Sequence, residues 1–324
     1  MNFAKITQVA HYAPAQVVTN DDLAAIMDTN DEWISSRTGI KSRHITYDEN
    51  TSDLCINIVQ SLLKKSGDLP EAIDFLIIAT ISPDSLMPTT ATITQGKTGL
   101  VNAFAFDMQA ACSGFIYALS LGEKLIASGR YKKGIVIGAE THSKTLDWDD
   151  RSTAVLFGDG AGGVLLEADN QQHFLAEKLQ SDGIRGLALT AKTFYPKSPY
   201  SKEFKANEKL TMDGRSVFDF AVREVPQNIL ATLELAGIEA DEIDYYLPHQ
   251  ANVRIIDKWP RKLKVDPAKF LVNLENYGNT SAASIPILLS EAIDKGTLSF
   301  GSGQNVLLTG FGGGLTWGSL IIKL

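Results

Sequence analysis

The stretch Phe106-Asp-Met-Gln-Ala-Ala-Cys-Ser-Gly-Phe-Ile-Tyr-Ala-Leu119 decides how this chain of 324 residues is interpreted. A short apolar strand, predicted over residues 103–108, turns through small residues into an apolar helix that runs to about Ala127. Cys112 lies at that turn, where the first helical N–H groups lack an intrahelical partner and the helix dipole is positive. Such a position is expected to lower the pKa of a thiol, as a nucleophile requires. The alternative is that Cys112 is a small buried apolar residue.

Composition narrows the classes of protein. Hydrophobic residues make up 44% and charged residues 21%, which is ordinary for a globular protein, and the length suits two domains or a duplicated one. The two cysteines, Cys55 and Cys112, argue against a disulfide scaffold and for a reducing cytoplasm. The N-terminus lacks a signal-peptide pattern, and no apolar run approaches the roughly 18 residues of a membrane span. A net charge of -8 argues against a general nucleic-acid binder.

Strand patterns alternate with helix patterns, which predicts an α/β fold with a largely parallel sheet. The run 73–80 is continuously apolar, as expected of a strand buried on both faces. Residues 187–207 show no clear period, and we expect a long irregular excursion that covers a site. A helix is predicted from Val217 toward Leu235, with a kink or an early turn at Pro226.

A short helix is predicted from Asp31 to a stop at Gly39. It places Trp33 and Arg37 one turn apart on the same face. That pair suits either a surface packing contact or an aromatic and cationic platform for a nucleotide.

The second half of the chain repeats landmarks of the first. The stretch Glu242-Ile-Asp-Tyr-Tyr-Leu-Pro matches Ala72-Ile-Asp-Phe-Leu-Ile-Ile. Each of these two stretches is followed by a small-residue turn, an apolar helix and then a glycine-rich stretch. We therefore predict two duplicated βα halves, 1–172 and 173–324, related by a pseudo-twofold axis. Duplication would place Cys112 of the first half and Asn279 of the second at equivalent, facing turns.

His249 is a third candidate catalytic residue beside Cys112 and Asn279, because of its position after a strand. It follows the strand predicted over 243–247 at the carboxyl edge, where α/β sheets place their ligands. Alone, His249 would be an ordinary histidine and Asn279 a helix cap. Together with Cys112 they predict a catalytic site assembled from three remote segments.

Four motifs carry a resemblance to a known family: Ala110-Ala-Cys-Ser-Gly-Phe, Pro248-His-Gln-Ala-Asn-Val-Arg254, Tyr277-Gly-Asn-Thr-Ser-Ala-Ala-Ser284 and Gly310-Phe-Gly-Gly-Gly-Leu-Thr-Trp-Gly318. Together they resemble β-ketoacyl-[acyl-carrier-protein] synthase III, the initiating condensing enzyme of bacterial type II fatty acid synthesis. The resemblance covers essentially the whole chain and implies a thiolase-like fold layered α/β/α/β/α. Elongating synthases and thiolases carry a second histidine where Asn279 stands, and chalcone-type synthases are typically longer.

The resemblance implies a decarboxylative Claisen condensation without a metal or redox cofactor. An acyl group, such as acetyl from acetyl-CoA, would transfer to Cys112. Malonyl-ACP would then lose carbon dioxide and attack that thioester to give 3-oxoacyl-ACP. Backbone N–H groups of Cys112 and Gly313 would form an oxyanion hole, while His249 and Asn279 would stabilise the enolate by hydrogen bonds to the malonyl thioester oxygen.

The same resemblance implies where the substrates bind. Coenzyme A would contact Trp33, Arg37, Arg151, Gly214 and Asn252, and the acyl carrier protein would contact Gln250, Arg254, Lys258 and Arg261. The last three have the spacing of one helical face, which suits an acidic carrier or merely a solvated surface. Pro260 interrupts the predicted helix there. A homodimer is implied too, with residues 103–108 as a candidate contact strand.

Other functions fit parts of the pattern. The order Cys, His, Asn also suits a papain-like peptidase, although the Cys-Gly-Ser-Cys-Trp signature is missing. A non-catalytic thiolase-like scaffold would not need all three polar groups. Within the fold, a synthase that makes a secondary metabolite or joins two acyl chains stays open. The primer is open as well, because Met87 stands where some relatives carry Phe.

Overall fold

A computed structural model of the protein describes residues 2–202 and 209–324. Its strands are β1 (Phe3–Tyr12), β2 (Val17–Thr19), β3 (Ser42–His44), β4 (Phe75–Ala79), β5 (Phe104–Met108), β6 (Lys133–Glu140), β7 (Gly160–Asp169), β8 (Phe174–Ser181), β9 (Leu189–Thr190), β10 (Thr211–Met212), β11 (Tyr245–Pro248), β12 (Asn305–Gly312) and β13 (Thr316–Lys323). Its helices are α1 (Asn20–Ala24), α2 (Asp31–Thr38), α3 (Thr51–Ser66), α4 (Thr90–Thr98), α5 (Gly114–Ala127), α6 (Arg151–Ala154), α7 (Gly214–Ala236), α8 (Val253–Ile256), α9 (Trp259–Leu263), α10 (Leu274–Tyr277) and α11 (Ser284–Asp294).

Two mixed sheets organise these elements. The first has the order β1-β7-β6-β4-β5, in which β4 pairs in parallel with β5 and β6 while β7 pairs antiparallel with β6 and β1. In the second, β11-β12-β13-β8, the pair β11 and β12 is parallel and the others are antiparallel. The predicted largely parallel sheet is therefore wrong. Residues 313–315, which join β12 to β13, are too few for the crossover that parallel strands require.

The apolar residues sort into layers. Leu76 and Ile78 of β4 belong to a buried cluster with α3, whereas Ile77 faces a second cluster that contains α5 and α11. Leu308 of β12 joins that second cluster from the other sheet, and Leu307 points instead toward a third cluster with α7. Two sheets thus enclose α5 and α11, and α3 and α7 cover the outer faces, which gives the predicted α/β/α/β/α layering.

The duplication is visible in the strand order, because β8-β13-β12-β11 repeats β1-β7-β6-β4. Each half also has a short 3-10 turn before its central helix, Ala111–Ser113 and Ser281–Ala283, and each turn begins at a positive φ, 46° and 51°. These turns align Cys112 with Ala282. The predicted equivalence of Cys112 with Asn279 is therefore wrong by three residues, because α11 has 11 residues where α5 has 14. The division at residues 172 and 173 stays a prediction.

Several local predictions can be compared with the structure. Helix α2 ends at Gly39 in the left-handed conformation, as predicted. Helix α7 begins earlier than expected and continues through Pro226 without a break. The predicted helix after His249 is two short helices, α8 and α9, and Pro260 lies in the first turn of α9, where no N–H donor is needed.

The irregular excursion lies partly within the described residues. Its first part includes β9, which pairs with β10, whereas residues 203–207 lie outside the described residues. Within the described ranges, no helix is both long enough and apolar enough to cross a membrane.

Candidate active site

Cys112 lies on the 3-10 turn between β5 and α5, in the wall of a cavity of about 850 Å³. The residue before it, Ala111, has a φ of 46°, a strained conformation that is often found at functional sites. The end of β12 approaches so closely that a Cβ on Gly312 would stand 2.7 Å from the Cys112 nitrogen. Gly313 lines the same cavity. The glycine turn after β12 and the cysteine turn therefore face one small volume.

The protonation of this thiol differs from the prediction. Burial raises the pKa of Cys112 to about 12, and the Glu140 carboxylate adds to the increase, while a hydrogen bond with Ser281 opposes it. The predicted lowering of the pKa is therefore wrong, because desolvation at this enclosed position outweighs the favourable interactions. Cys55 is also fully buried and its pKa is raised, but it belongs to the apolar cluster with α3.

His249 follows β11 as predicted and is nearly completely buried. Its backbone N–H donates to the Thr309 carbonyl at 2.8 Å, which fixes the residue to the second sheet. Its ring Nδ1 lies 2.7 Å from the Ser284 hydroxyl, and the ring packs edge-on against Phe311. Burial lowers the pKa of His249 to about 3, so the imidazole is neutral at physiological pH.

Asn279 lies two residues before the 3-10 turn of the second half. Its side-chain oxygen accepts from the Ser281 N–H at 2.8 Å, so the amide NH₂ is the group of this side chain that can donate. Its backbone reaches across to the first half, since its N–H donates to Leu156 and its carbonyl accepts from Gly158. Both halves therefore hold Asn279 in place.

One turn of the chain, residues 281–284, connects the three predicted catalytic groups. Ser281 is hydrogen-bonded to the thiol of Cys112 through its side chain and to Asn279 through its backbone. Ser284, at the start of α11, holds the ring of His249. Three segments that are remote in sequence thus meet at the start of the helix that mirrors α5.

Glu140 is a member of this site that the sequence analysis missed. It is fully buried at the end of β6, and burial raises the pKa of its carboxyl to about 7. Its oxygens accept from the Thr80, Ser82 and Ser281 hydroxyls and from the Ile81 and Ser82 backbone N–H groups. The signal available in the sequence was a lone acidic residue at the end of an apolar strand.

Trp33, Arg37 and Arg151, predicted to bind coenzyme A, lie together. The Arg37 guanidinium carbon is 4.8 Å and that of Arg151 is 5.3 Å from the Trp33 ring centroid. Arg151 also donates a hydrogen bond to the Asp28 carbonyl. The indole with two guanidinium groups forms a surface that combines a π-face with positive charge, which suits a nucleotide.

The two other predicted coenzyme A residues stand at helix starts. Asn252 caps α8, where its side chain accepts from the Arg254 N–H at 2.9 Å. Gly214 is exposed at the first position of α7. Their roles in binding stay predictions.

The predicted carrier-binding residues divide into two kinds. Gln250 is completely buried, and its amide bonds the backbone of Pro248, Asn273 and Leu274, so the prediction that it contacts a carrier is wrong. Arg254, Lys258 and Arg261 are exposed, although they lie on α8, α9 and the junction between them rather than on one helix. The Arg254 guanidinium donates twice to the Ser36 carbonyl of α2, at 2.7 and 3.1 Å.

Comparison with known proteins connects this geometry to a family. A family model described as 3-oxoacyl-[acyl-carrier-protein (ACP)] synthase III matches residues 106–183, and one described as its C-terminal part matches residues 233–324. The chain is 59% identical over 324 residues to the β-ketoacyl-[acyl-carrier-protein] synthase III of Streptococcus sanguinis, with 100% of both chains covered.

Solved structures agree with the sequence relatives. The synthase III of Aquifex aeolicus has a TM-score of 0.91 and 40% identity, over 99% of this chain and 100% of that one. The synthase III of Thermus thermophilus has a TM-score of 0.92 and 42% identity, over 98% of each chain.

Proposed function

Because the chain belongs to the β-ketoacyl-[acyl-carrier-protein] synthase III family, we propose that Cys112, His249 and Asn279 carry out the reaction of this family. That reaction is the condensation of an acyl-CoA with malonyl-ACP, which initiates fatty acid synthesis, and the fold is the predicted thiolase-like fold. The observation that carries the proposal is the meeting of the three groups at residues 281–284.

In the first stage Cys112 receives the acyl group. Its sulfur attacks the thioester carbonyl of acyl-CoA, the thiol proton is lost, and coenzyme A leaves as the thiol. The oxyanion that forms would accept hydrogen bonds from the backbone N–H groups of Cys112 and Gly313. The close approach of Gly312 to Cys112 supports this arrangement, because it brings the glycine turn to the acylated sulfur.

In the second stage His249 and Asn279 stabilise the enolate that decarboxylation of malonyl-ACP produces. When the Ser284 hydroxyl donates to Nδ1, the neutral imidazole carries its proton on Nε2 and can donate to the thioester oxygen. The amide NH₂ of Asn279 supplies a second donor. The enolate carbon then attacks the acyl thioester on Cys112, and the thiolate leaves.

The substrates would approach over a positively charged surface. Coenzyme A would place its adenine between Trp33 and Arg151, with Arg37, Asn252 and Gly214 along the pantetheine path. The acidic carrier would dock on Arg254, Lys258 and Arg261. Exposure of the three basic side chains and the cationic groups around Trp33 support these assignments.

We further propose a homodimer that works in the cytoplasm. In the described part of the first sheet, β5 is an edge strand, and its Phe104 is 39% exposed and stacked on Phe106. An apolar edge strand is usually covered, and pairing with a second copy would cover it.

Acylation of Cys112 tests the proposed function directly. Incubation with acetyl-CoA should add one acetyl group to the intact protein, as measured by mass spectrometry. Cys112→Ala should abolish the adduct, whereas Cys55→Ala, at the buried cysteine outside the cavity, should keep it. An adduct that persists in Cys112→Ala, or peptide hydrolysis in place of malonyl-ACP decarboxylation, would overturn the proposal.

A further inference from the structure

Arg43, in the middle of β3, is a cation buried without an acidic partner. The side chain is almost completely buried, and burial lowers its pKa to about 10, so the guanidinium keeps its positive charge at physiological pH. None of the acidic groups that the structure describes forms an ion pair with it, and its Nε makes no hydrogen bond to a described residue. Burying an unpaired charge is costly, so this residue needs an explanation.

The two ends of the Arg43 guanidinium bond different segments of the chain. Nη2 donates to the Val155 carbonyl at 2.7 Å. Nη1 donates to Oδ1 of Asn20 at 2.8 Å and to the Val18 carbonyl at 3.3 Å. Because a guanidinium is planar and rigid, it fixes the distance and the angle between the groups that its two ends bond.

Asn20 extends this connection to α2. Its buried amide Nδ2 donates to the Asp31 carboxylate and to the Ile40 carbonyl, each at 2.8 Å. Asp31 begins α2, and Ile40 follows its last turn, so the amide holds both ends of this helix. A guanidinium and a carboxylate thus bond the opposite ends of one amide, which polarises the amide in the direction that strengthens both hydrogen bonds.

The segments that Arg43 joins carry the two groups proposed to hold adenine. Trp33 lies on α2, and Arg151 begins α6, with its guanidinium carbon 5.3 Å from the Trp33 ring centroid. Helix α6 has only four residues, and Val155 caps it, so a hydrogen bond that fixes Val155 also fixes Arg151. A base can lie between an aromatic ring and a guanidinium only when their separation suits it.

We propose that Arg43 and Asn20 are positioning residues for coenzyme A, which set the separation of Trp33 and Arg151 from below the surface. The inference rests on the proposed function, since it assumes that the adenine lies between these two groups. Only the adenosine part of coenzyme A would reach Trp33 and Arg151. The effect of Arg43 should therefore depend on whether the acyl donor carries adenosine.

Two acyl donors with the same thioester test the proposal. Acetyl-CoA carries the adenosine part, whereas acetyl-pantetheine lacks it. The rate of Cys112 acylation is followed by intact-protein mass spectrometry over a range of donor concentrations. Arg43→Met should raise the KM for acetyl-CoA by about tenfold and the KM for acetyl-pantetheine by less than about twofold. The maximal rate of loading from acetyl-CoA should change less than the KM, because adenine binding is remote from the reacting atoms.

Two further variants keep the test decisive if Arg43→Met does not fold. Arg43→Lys keeps the charge but loses the planar fork, and Asn20→Ala breaks the connection to α2 while it keeps Arg43. Both should raise the KM for acetyl-CoA selectively. When Arg43→Lys is combined with Trp33→Ala, the KM for acetyl-CoA should match that of Trp33→Ala alone, because the ring that Arg43 positions is gone.

Three results would overturn the inference. In the first, the folded variants of Arg43 and Asn20 leave the KM for acetyl-CoA unchanged. In the second, they impair both donors equally, as expected of a purely structural role. In the third, the effects of Arg43→Lys and Trp33→Ala multiply in the double variant. Failure of the wild-type protein to acylate Cys112 with either donor would instead remove the proposed function, and this inference with it.

Discussion

Ser281 donates a hydrogen bond to Glu140 across the boundary between the two halves, at 3.2 Å from Oγ to Oε1. Ser281 is also hydrogen-bonded to the thiol of Cys112, so a buried carboxyl and a buried thiol compete for one hydroxyl proton. The two contacts act on the thiol in opposite directions. The negative charge of Glu140 raises the pKa of Cys112, and the hydrogen bond with Ser281 lowers it.

Glu140→Gln should therefore lower the pKa of Cys112, because it removes the negative charge while it keeps an acceptor for Ser281. The rate of alkylation by iodoacetamide, measured against pH, should rise at a lower pH than in the wild-type protein. The carboxyl of Glu140 has a pKa of about 7, so the two profiles should separate above that pH, where the wild-type group is ionised.

Ser281→Ala is the matched control, because it removes the contact that lowers the pKa of Cys112. Its alkylation profile should move toward higher pH, opposite to that of Glu140→Gln. Thermal unfolding of both variants would check that the fold is kept. If both profiles moved in the same direction, the shared hydroxyl would not control the thiol.

His249→Ala and Asn279→Ala should lose the decarboxylation of malonyl-ACP, by about a hundredfold or more for each donor removed. Both should still acquire an acetyl group on Cys112, because neither side chain bonds the thiol directly in the contacts that define the site. Release of labelled carbon dioxide from malonyl-ACP measures the first activity, and intact mass measures the second.

Ser284→Ala provides a graded test of the same stage. It removes the hydroxyl at 2.7 Å that orients the His249 ring, so decarboxylation should fall less than in His249→Ala. If all three variants also failed to load the acetyl group, the roles assigned to His249 and Asn279 would be wrong, and activation of the thiol would replace them.

Much of the fold could be predicted because it is encoded locally. The end of α2 could be predicted because glycine readily adopts the left-handed conformation that Gly39 has in the structure. The buried strand β4 could be predicted because its residues form an unbroken apolar run. Short landmarks also exposed the duplication. The register between the halves could not be found from them, because it depends on the different lengths of α5 and α11, which become visible only in the folded structure.

The residues proposed as catalytic could be predicted from the sequence, but their environment could not. Cys112, His249 and Asn279 were predicted by residue type and position. The burial that raises the pKa of the thiol comes from residues far away in sequence. Gln250 was misjudged for the same reason, since a polar side chain beside a catalytic residue predicts a surface contact, and its buried bonds to Asn273 and Leu274 arise only in the folded chain.

Gly312→Ala should disturb the site without removing any functional group. The new Cβ would stand 2.7 Å from the Cys112 nitrogen and 2.9 Å from its Cβ, distances that force the two turns apart. We expect a loss of about 1 to 3 kcal/mol in the free energy of unfolding, measured by urea denaturation, with slower acetyl loading. Gly183→Ala is the control, because an added Cβ there meets nothing within 4 Å. Equal behaviour of the two variants would contradict the close packing.

Arg254 permits the sharpest test of carrier docking, because its contact with α2 can be separated from its charge. Arg254→Ala and Arg254→Glu both lose the two hydrogen bonds to the Ser36 carbonyl, so any difference between them reports charge. Condensation with malonyl-ACP should fall a few-fold in the alanine variant and further in the glutamate variant, while acetyl-CoA loading changes little in either.

The salt dependence of condensation tests whether the difference between the two Arg254 variants arises from their encounter with an acidic carrier. The Debye length is about 8 Å at physiological ionic strength, so raising the salt should weaken the docking of malonyl-ACP to the wild-type protein and bring the two variants together. Arg261, which lies on α9 beyond Pro260, should matter less, and Arg261→Glu serves as the comparison. Two results would contradict carrier docking: a loss of acetyl loading as large as the loss of condensation, or a gap between the Arg254 variants that does not depend on salt. Arg254 would then serve to anchor α8 on α2, and the basic surface would be a solvated one without a carrier.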